Sequence, residues 1–219
     1  GVLSLVLLAS LPRLLPGTRL PRWPILLWLV SLVGLLATYT RGAWMGFAAG
    51  VLALLPITRK GRWLLLGGLI VVGFAALAGP QHRRQRFLTM GDPGDATVTE
   101  RVYMWRSGLT MWRQHPVLGL GPGGVKREYA NYALPEAVKK RTGHVHNTPL
   151  QIAVERGIPG LLAWIAIFTA FLVHTVRLVR RLPDGPERTL VVGVQAAIVS
   201  FLVAGLFEYN FGDTEVMLV

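Results

Sequence analysis

The chain has 219 residues, a mean hydropathy of +0.47 and 16% charged residues, where soluble domains carry nearer a quarter. Its net charge of +12 would point to nucleic acid in a soluble protein. Here the basic residues fall in loops between apolar runs, so the expected partner is membrane lipid or phosphate and not nucleic acid. Cysteine is absent, which excludes disulfides and thiolate chemistry within these residues.

Several apolar runs approach the length of about 20 residues that crosses a bilayer. The fold class expected is therefore all-α, a polytopic helical integral membrane protein. In chain order, residues 1–11 read as the tail of a span and 12–23 as a Pro-rich basic loop. Spans follow at 24–40 and about 43–57, joined through "TYTRGAW" with Arg41 at its centre. After the basic loop 58–63 comes a span at 64–80, then a long polar segment at 81–148. Residues 149–176 are apolar, interrupted early by Glu155, Arg156 and Pro159. A basic loop at 177–188, a span at 189–207 and "EYNFGDTE" complete the chain up to a last apolar stretch, "EVMLV". This divides the chain into transmembrane helices at 1–80, an outer loop at 81–148 and transmembrane helices at 149–219. Both ends look like parts of spans, so a piece of a longer protein is expected.

The short loops at 12–23, 58–63 and 177–188 each carry three or four Arg or Lys, and the spans put them on one side, the cytoplasmic one. Arg41, the long segment 81–148 and Glu208 then share the opposite face. Long loops translocate largely regardless of charge, so the basic character of 81–148 does not oppose this placement.

Within that outer loop a helix is predicted at about 98–115. Val98, Val102, Trp105, Leu109 and Trp112 recur at spacings of four and three and so line one face. Thr97 or Thr99 is the expected cap. Arg101 borders the stripe on one side, Arg106 and Arg113 on the other. A tryptophan-bearing stripe edged by arginine fits an amphipathic helix lying in the membrane interface. Its arginines either snorkel around the packed face or bind substrate. The following "HPVLGLGPGG", residues 115–124, is rich in turn formers. It is either a structural turn or, around Gly121, a cradle of backbone N–H groups for phosphate.

Arg41 stands between two apolar runs with no acid nearby in sequence, which makes it either a candidate functional residue or a side chain snorkelling to the interface. Gly42 and Gly46 beside it would admit another helix or a lipid headgroup. His144 and His146 are two apart, a poor spacing for a helical metal site, so no metal is expected there. An imidazole flanked by positive charge is held neutral and can accept a proton, while arginines can hold a phosphate leaving group. Together these residue types suggest transfer from a phosphate-activated donor to a hydroxyl.

The pattern His146-Asn147, nine residues, then Gly157-Ile158-Pro159-Gly160 resembles the HN-x9-GxxG signature of the bacterial O-antigen ligase family. That family also holds O-antigen polymerases and related oligosaccharyltransferases. "TYTRG" at 38–42, "RVYMW" at 101–105, "HPVLGLGPG" at 115–123 and "EYNFGDTE" at 208–215 match further pieces in the same order. The resemblance implies a metal- and ATP-independent, multi-pass enzyme of the bacterial inner membrane, with no cofactor and its site facing the periplasm. It implies a glycan donor on undecaprenyl diphosphate and an acceptor hydroxyl on lipopolysaccharide core, on a growing glycan or on protein. By position His146 matches the family's essential histidine and Arg41 its membrane-embedded arginine. Arg101 matches its loop arginine, with Arg106 and Arg113 on the same helix. Asn147 and His144 are expected to support the site, and Glu208 either pairs with an arginine or has no role. The Gly-Ile-Pro-Gly turn is expected to return the chain to the membrane. From other classes, a solute transporter and a non-catalytic carrier-binding subunit remain open at this point.

Overall fold

The computed structural model describes residues 2–11, 22–38, 40–55 and 95–210, with the single positions 66, 73, 81, 84 and 85. Among these residues all regular structure is helical. The helices are α1 (Val2–Ser10), α2 (Arg22–Ala37), α3 (Arg41–Leu54), α4 (Ala96–Gln114), α5 (Gly124–Tyr132), α6 (Thr148–Arg181) and α7 (Pro186–Gly205). α6 and α7 are long and apolar enough to cross a membrane, whereas the apolar stretches of α2 and α3 are shorter. The span expected at 64–80 lies outside the described residues except for 66 and 73, as does 211–219. The chain divides into two compact units. The first comprises Gly1–Leu88 and Leu172–Ala204, and the second Thr89–Phe171 and Gly205–Leu218.

In the first unit, indole N–H groups tie helix to helix. Trp28 Nε1 donates to the carbonyl of Leu7 at 3.0 Å, and Trp44 Nε1 to that of Leu35 at 3.1 Å. The Trp44 ring is buried and the Trp28 ring half-buried, and each still satisfies its donor. The expected close approach at Gly46 is to a helix. A Cβ there would stand 2.6 Å from the Ser200 carbonyl oxygen and 2.9 Å from the Ala204 Cβ. Gly50, one turn on, meets the Ala196 carbonyl in the same way, at 2.8 Å. Small residues at a spacing of four let α3 and α7 pack backbone to backbone.

In the second unit, α4 spans 96–114, close to the expected 98–115, but its cap is Asp95 and neither threonine. The Asp95 carboxylate accepts from the N–H groups of Thr97 at 2.9 Å and Val98 at 3.3 Å. A carboxylate both satisfies these donors and complements the positive end of the helix dipole. The buried face also differs from the expected stripe. It is Met104, Ser107, Gly108 and Met111, while Val102, Trp105, Leu109 and Trp112 lie half-buried beside it. Gly108 is small enough for Val145 and Leu150 to close on the helix, and the flexible methionines fill the remaining space. Met104 and Met111 form one core with Val125 and Tyr129 of α5 and with Val145 and Val154. α5 itself was not anticipated from the sequence.

α6 is broken at Gly157, whose φ of 65° and ψ of −165° fall in a region that essentially only glycine occupies. Pro159, two residues on, has no N–H to donate to the carbonyl of Glu155. The Gly-Ile-Pro-Gly motif is thus a break with helix on both sides. The glycine-rich turn at 115–124 docks onto it. The Ile158 N–H donates to the Pro116 carbonyl at 2.9 Å, and the Leu120 N–H to the Val154 carbonyl at 2.8 Å. At Gly119, φ is +68° and a Cβ would stand 2.6 Å from the Val154 oxygen.

At Gly157 a Cβ would lie 1.9 Å from the Val117 carbonyl oxygen. Gly157→Ala therefore combines a forbidden φ/ψ with a backbone clash, and should destabilise by at least about 1–3 kcal/mol. A thermal melt of the purified protein in detergent should give a clearly lower midpoint for Gly157→Ala. Gly143→Ala, where a Cβ meets nothing within 4 Å, should melt as wild type does.

Candidate active site

The second unit gathers polar side chains at the start of α6. Asn147 caps that helix: its Oδ1 accepts the Leu150 N–H at 2.9 Å. Its Nδ2 donates to the Leu206 carbonyl at 3.0 Å. Thr148 Oγ1 donates to the Glu208 carbonyl at 2.9 Å. The segment entering α6 is thereby fastened to the segment leaving α7.

Just before the cap, the backbone is locked from inside. Val145 is fully buried, and its N–H donates to Gln151 Oε1 at 2.9 Å. Gln151 Nε2 in turn donates to Glu155 Oε1 at 2.9 Å. Both polar side chains are buried on the first stretch of α6. Sequence reasoning noted Glu155 only as an interruption and missed Gln151. Their i, i+4 spacing was the available signal.

Between the buried Val145 and the cap sits His146, with φ +51°. Among the described residues it alone, apart from glycines, has positive φ. Such a conformation costs roughly 1–3 kcal/mol and persists only where its surroundings dictate it. Here the Gln151 bond holds the preceding residue and the cap holds the following one. The indole N–H of Trp105 donates to the His146 carbonyl at a long 3.4 Å. The result turns the imidazole toward Glu208.

Glu208 bridges two of the expected site residues. Its Oε2 lies 2.8 Å from His146 Nδ1, and its Oε1 accepts from Arg101 Nη2. All three side chains are about three-quarters buried. Burial pushes the Glu208 carboxyl up, but the His146 hydrogen bond and the Arg101 charge outweigh it, and the net direction is down. The carboxyl is therefore ionised at neutral pH and can only accept, so His146 Nδ1 carries the proton in this contact. When the ring is neutral, Nε2 is left with its lone pair.

His144 packs edge-on to His146, with ring centroids 4.3 Å apart, and 6.0 Å from the ring of Tyr209. Burial, and next the neighbouring His146, hold its pKa below the ordinary 6.5. Arg106 is exposed on α4. Gly121 lies in the turn with φ +78°, and the Arg127 guanidinium covers the carbonyls of Leu120 and Pro122 at 2.9 and 2.7 Å. Arg41 is the first residue of α3 and belongs to the first unit. Among the described residues no group of three His, Cys, Asp or Glu side chains is arranged to hold a metal ion.

The two shifts have the same sign for stability. Glu208 has its folded pKa below 4.5, so its contribution is whole above about pH 4.5 and is lost as pH falls through the folded value. His144 has its folded pKa below 6.5, so acidification below about 6.5 also disfavours the fold. Melting midpoints followed from about pH 7 to about pH 3.5 should therefore fall toward acid. Glu208→Gln should be less stable at neutral pH and should show a smaller loss below about pH 4.5. An unchanged acid limb in this variant would remove Glu208 as its source.

Among the comparisons with known proteins, the family match covers part of this site, residues up to 165 and not Glu208. A family model described as O-antigen ligase matches residues 25–165, which include Arg41, Arg101, His144, His146 and Asn147. The exopolysaccharide production protein ExoQ of Rhizobium meliloti (strain 1021) is 29% identical over 170 residues. That match covers 73% of this chain and 38% of the relative, so the chain spans well under half of that protein's length. With the family model covering more than half of its residues, the chain belongs to the O-antigen ligase family.

Proposed function

We propose that this chain is the catalytic part of a membrane glycosyltransferase that moves a glycan from undecaprenyl diphosphate to a hydroxyl acceptor. The observation that carries the reading is the Arg101–Glu208–His146 bridge, which joins a general-base candidate and a phosphate-binding candidate through one carboxylate. The reading places α6 and α7 among several spans of the bacterial inner membrane, with residues 81–148 on the periplasmic side.

In this mechanism His146 Nε2 removes the proton from the acceptor hydroxyl. Glu208 fixes the tautomer through Nδ1 and stabilises the imidazolium that forms. The acceptor oxygen attacks the anomeric carbon opposite the diphosphate, and the bond to the diphosphate oxygen breaks, so the configuration inverts. Arg101 contacts Glu208 through Nη2, and the other donors of its guanidinium fork are assigned to the diphosphate. Arg41 is assigned to the same diphosphate, whose developing charge both arginines stabilise. Asn147 and His144 support the base, and Arg106 and Gly121 are assigned to the substrate's periphery.

Lipopolysaccharide core is the acceptor proposed first. A second reading, a growing polysaccharide, is favoured by one observation: the relative above is named for exopolysaccharide production.

The test is transfer by the purified full-length protein, supplied with lipid-linked oligosaccharide and either lipopolysaccharide core or free polysaccharide ends. His146→Ala should lower kcat by about 10²–10⁴-fold, the usual contribution of a positioned base. Glu208→Gln should fall in kcat with donor KM little changed, whereas Arg41→Lys should raise donor KM. Full transfer by His146→Ala would sink the base assignment. Absence of transfer in the wild-type protein, alongside uptake of a small solute into vesicles, would favour a transporter.

A further inference from the structure

Val117 and Leu118 form the tip of the turn between α4 and α5, and are 61% and 79% exposed. Leaving two large apolar side chains in water forgoes roughly 1.5–3 kcal/mol each relative to burial. Their position is not loose. Pro116 accepts the Ile158 N–H, Leu120 donates to the Val154 carbonyl, and the Val117 backbone rests on Gly157. The tip is thus bolted to α6 at its break.

That break is also where α6 changes character. Glu155 and Arg156 precede it, and residues 157–173 after it carry no charge. Ile158, Leu162 and Ile165 are exposed on this apolar stretch. Val117 and Leu118 therefore stand at the level where the spanning helix turns from polar to apolar. Exposed Arg113 and His115 precede the tip in the chain, and exposed Arg156 lies beside the break. An apolar tip with a basic rim complements acyl chains beneath anionic lipid phosphates.

We infer that the turn 115–120 is a membrane wedge: Val117 and Leu118 enter the hydrocarbon boundary of the bilayer beside α6, and Arg113 and Arg156 meet lipid phosphates. The wedge gives the second unit a membrane contact besides the helix itself, and so resists rotation about the helix axis. It also sets a height. The first stretch of α6, residues 148–156, separates the wedge from His146 by at most about 15 Å at 1.5 Å per residue. The polar zone of one leaflet is about 5–8 Å deep. His146 is thereby held within about 15 Å of the hydrocarbon boundary, at or just above the headgroup zone beside which a lipid-linked diphosphate lies. That consequence rests on the proposed transfer reaction; the wedge itself does not.

The experiment is depth measurement by nitroxide. Residues 1–219 hold no cysteine, so Leu118→Cys can be labelled once any cysteine elsewhere in the full-length protein is replaced. The protein is reconstituted in phosphatidylethanolamine–phosphatidylglycerol vesicles, and collisions with oxygen and with a water-soluble nickel chelate are compared. Leu118→Cys should favour oxygen over the chelate, as should Leu162→Cys on the spanning stretch. Val138→Cys, at a position 83% exposed, should favour the chelate. A Leu118→Cys label that behaves like Val138→Cys overturns the wedge. So does one that neither reagent reaches, because protein then covers the tip. Neither readout depends on enzymatic activity.

Discussion

The Glu208 carboxylate joins side chains that stand 107 and 62 residues away in sequence, Arg101 and His146. A carboxylate with one oxygen on a guanidinium and the other on an imidazole exists only if three chain segments arrive together: α4, the approach to α6 and the exit from α7. The charge-assisted bonds return part of the cost of removing these groups from water. They also set the charge balance. With His146 neutral, the arginine and the carboxylate cancel. A proton gained at Nε2 gives the group a single positive charge, held against an anion already in place. In the proposed transfer, that positive charge develops as the leaving diphosphate gains negative charge.

The backbone bends where it does in order to bring these segments together. Val145 must point into the core of α4 and α5, while its neighbour His146 points at Glu208. Two successive residues facing so differently just before a helix cap leave the backbone few conformations, and the left-handed one is taken at His146. The buried Gln151–Glu155 pair explains why that conformation is stable, since it fixes Val145 from the far side. Two residues beyond Glu155, Gly157 allows the turn 115–124 to lie against α6, which ties α4 to the same helix that carries the cap. The break and the cap thus act at the two ends of one nine-residue segment, and both hold α4 in register with His146.

Much of this was legible in the sequence because it is local. The extent of α4 and the Gly-Ile-Pro-Gly interruption follow from spacing or turn chemistry over fewer than twenty residues, and the His146-Asn147 pair stood out through the family signature that it begins. What was not legible depended on partners far along the chain. Val102, Trp105 and Leu109 are the stronger hydrophobes, yet Gly108 faces the core, because Val145 and Leu150 require the room. Asp95 outcompeted Thr97 and Thr99 as cap, since a carboxylate serves two N–H groups and the dipole at once. α5 was hidden behind its glycine-rich entry and polar composition. Glu208 was recognised as an acid at a helix end, but its choice of Arg101 over Arg106 is a matter of which side of α4 faces the exit of α7.

Two histidines two residues apart are distinguished by what their rings touch. His146 meets a carboxylate; His144 meets the edge of His146 and the ring of Tyr209. Burial, with the positive charge His146 can carry, keeps His144 on the neutral side. That neutrality matters for its neighbour. A charged His144 would compete for the Glu208 carboxylate and would repel the proton that His146 accepts in the proposed mechanism. An apolar residue there would leave the Thr142–His144 stretch the same backbone contacts, but not the same edge-on packing of one ring on the other. In the proposed mechanism the second imidazole serves the first by staying uncharged beside it, so that the Glu208 carboxylate remains committed to His146 Nδ1.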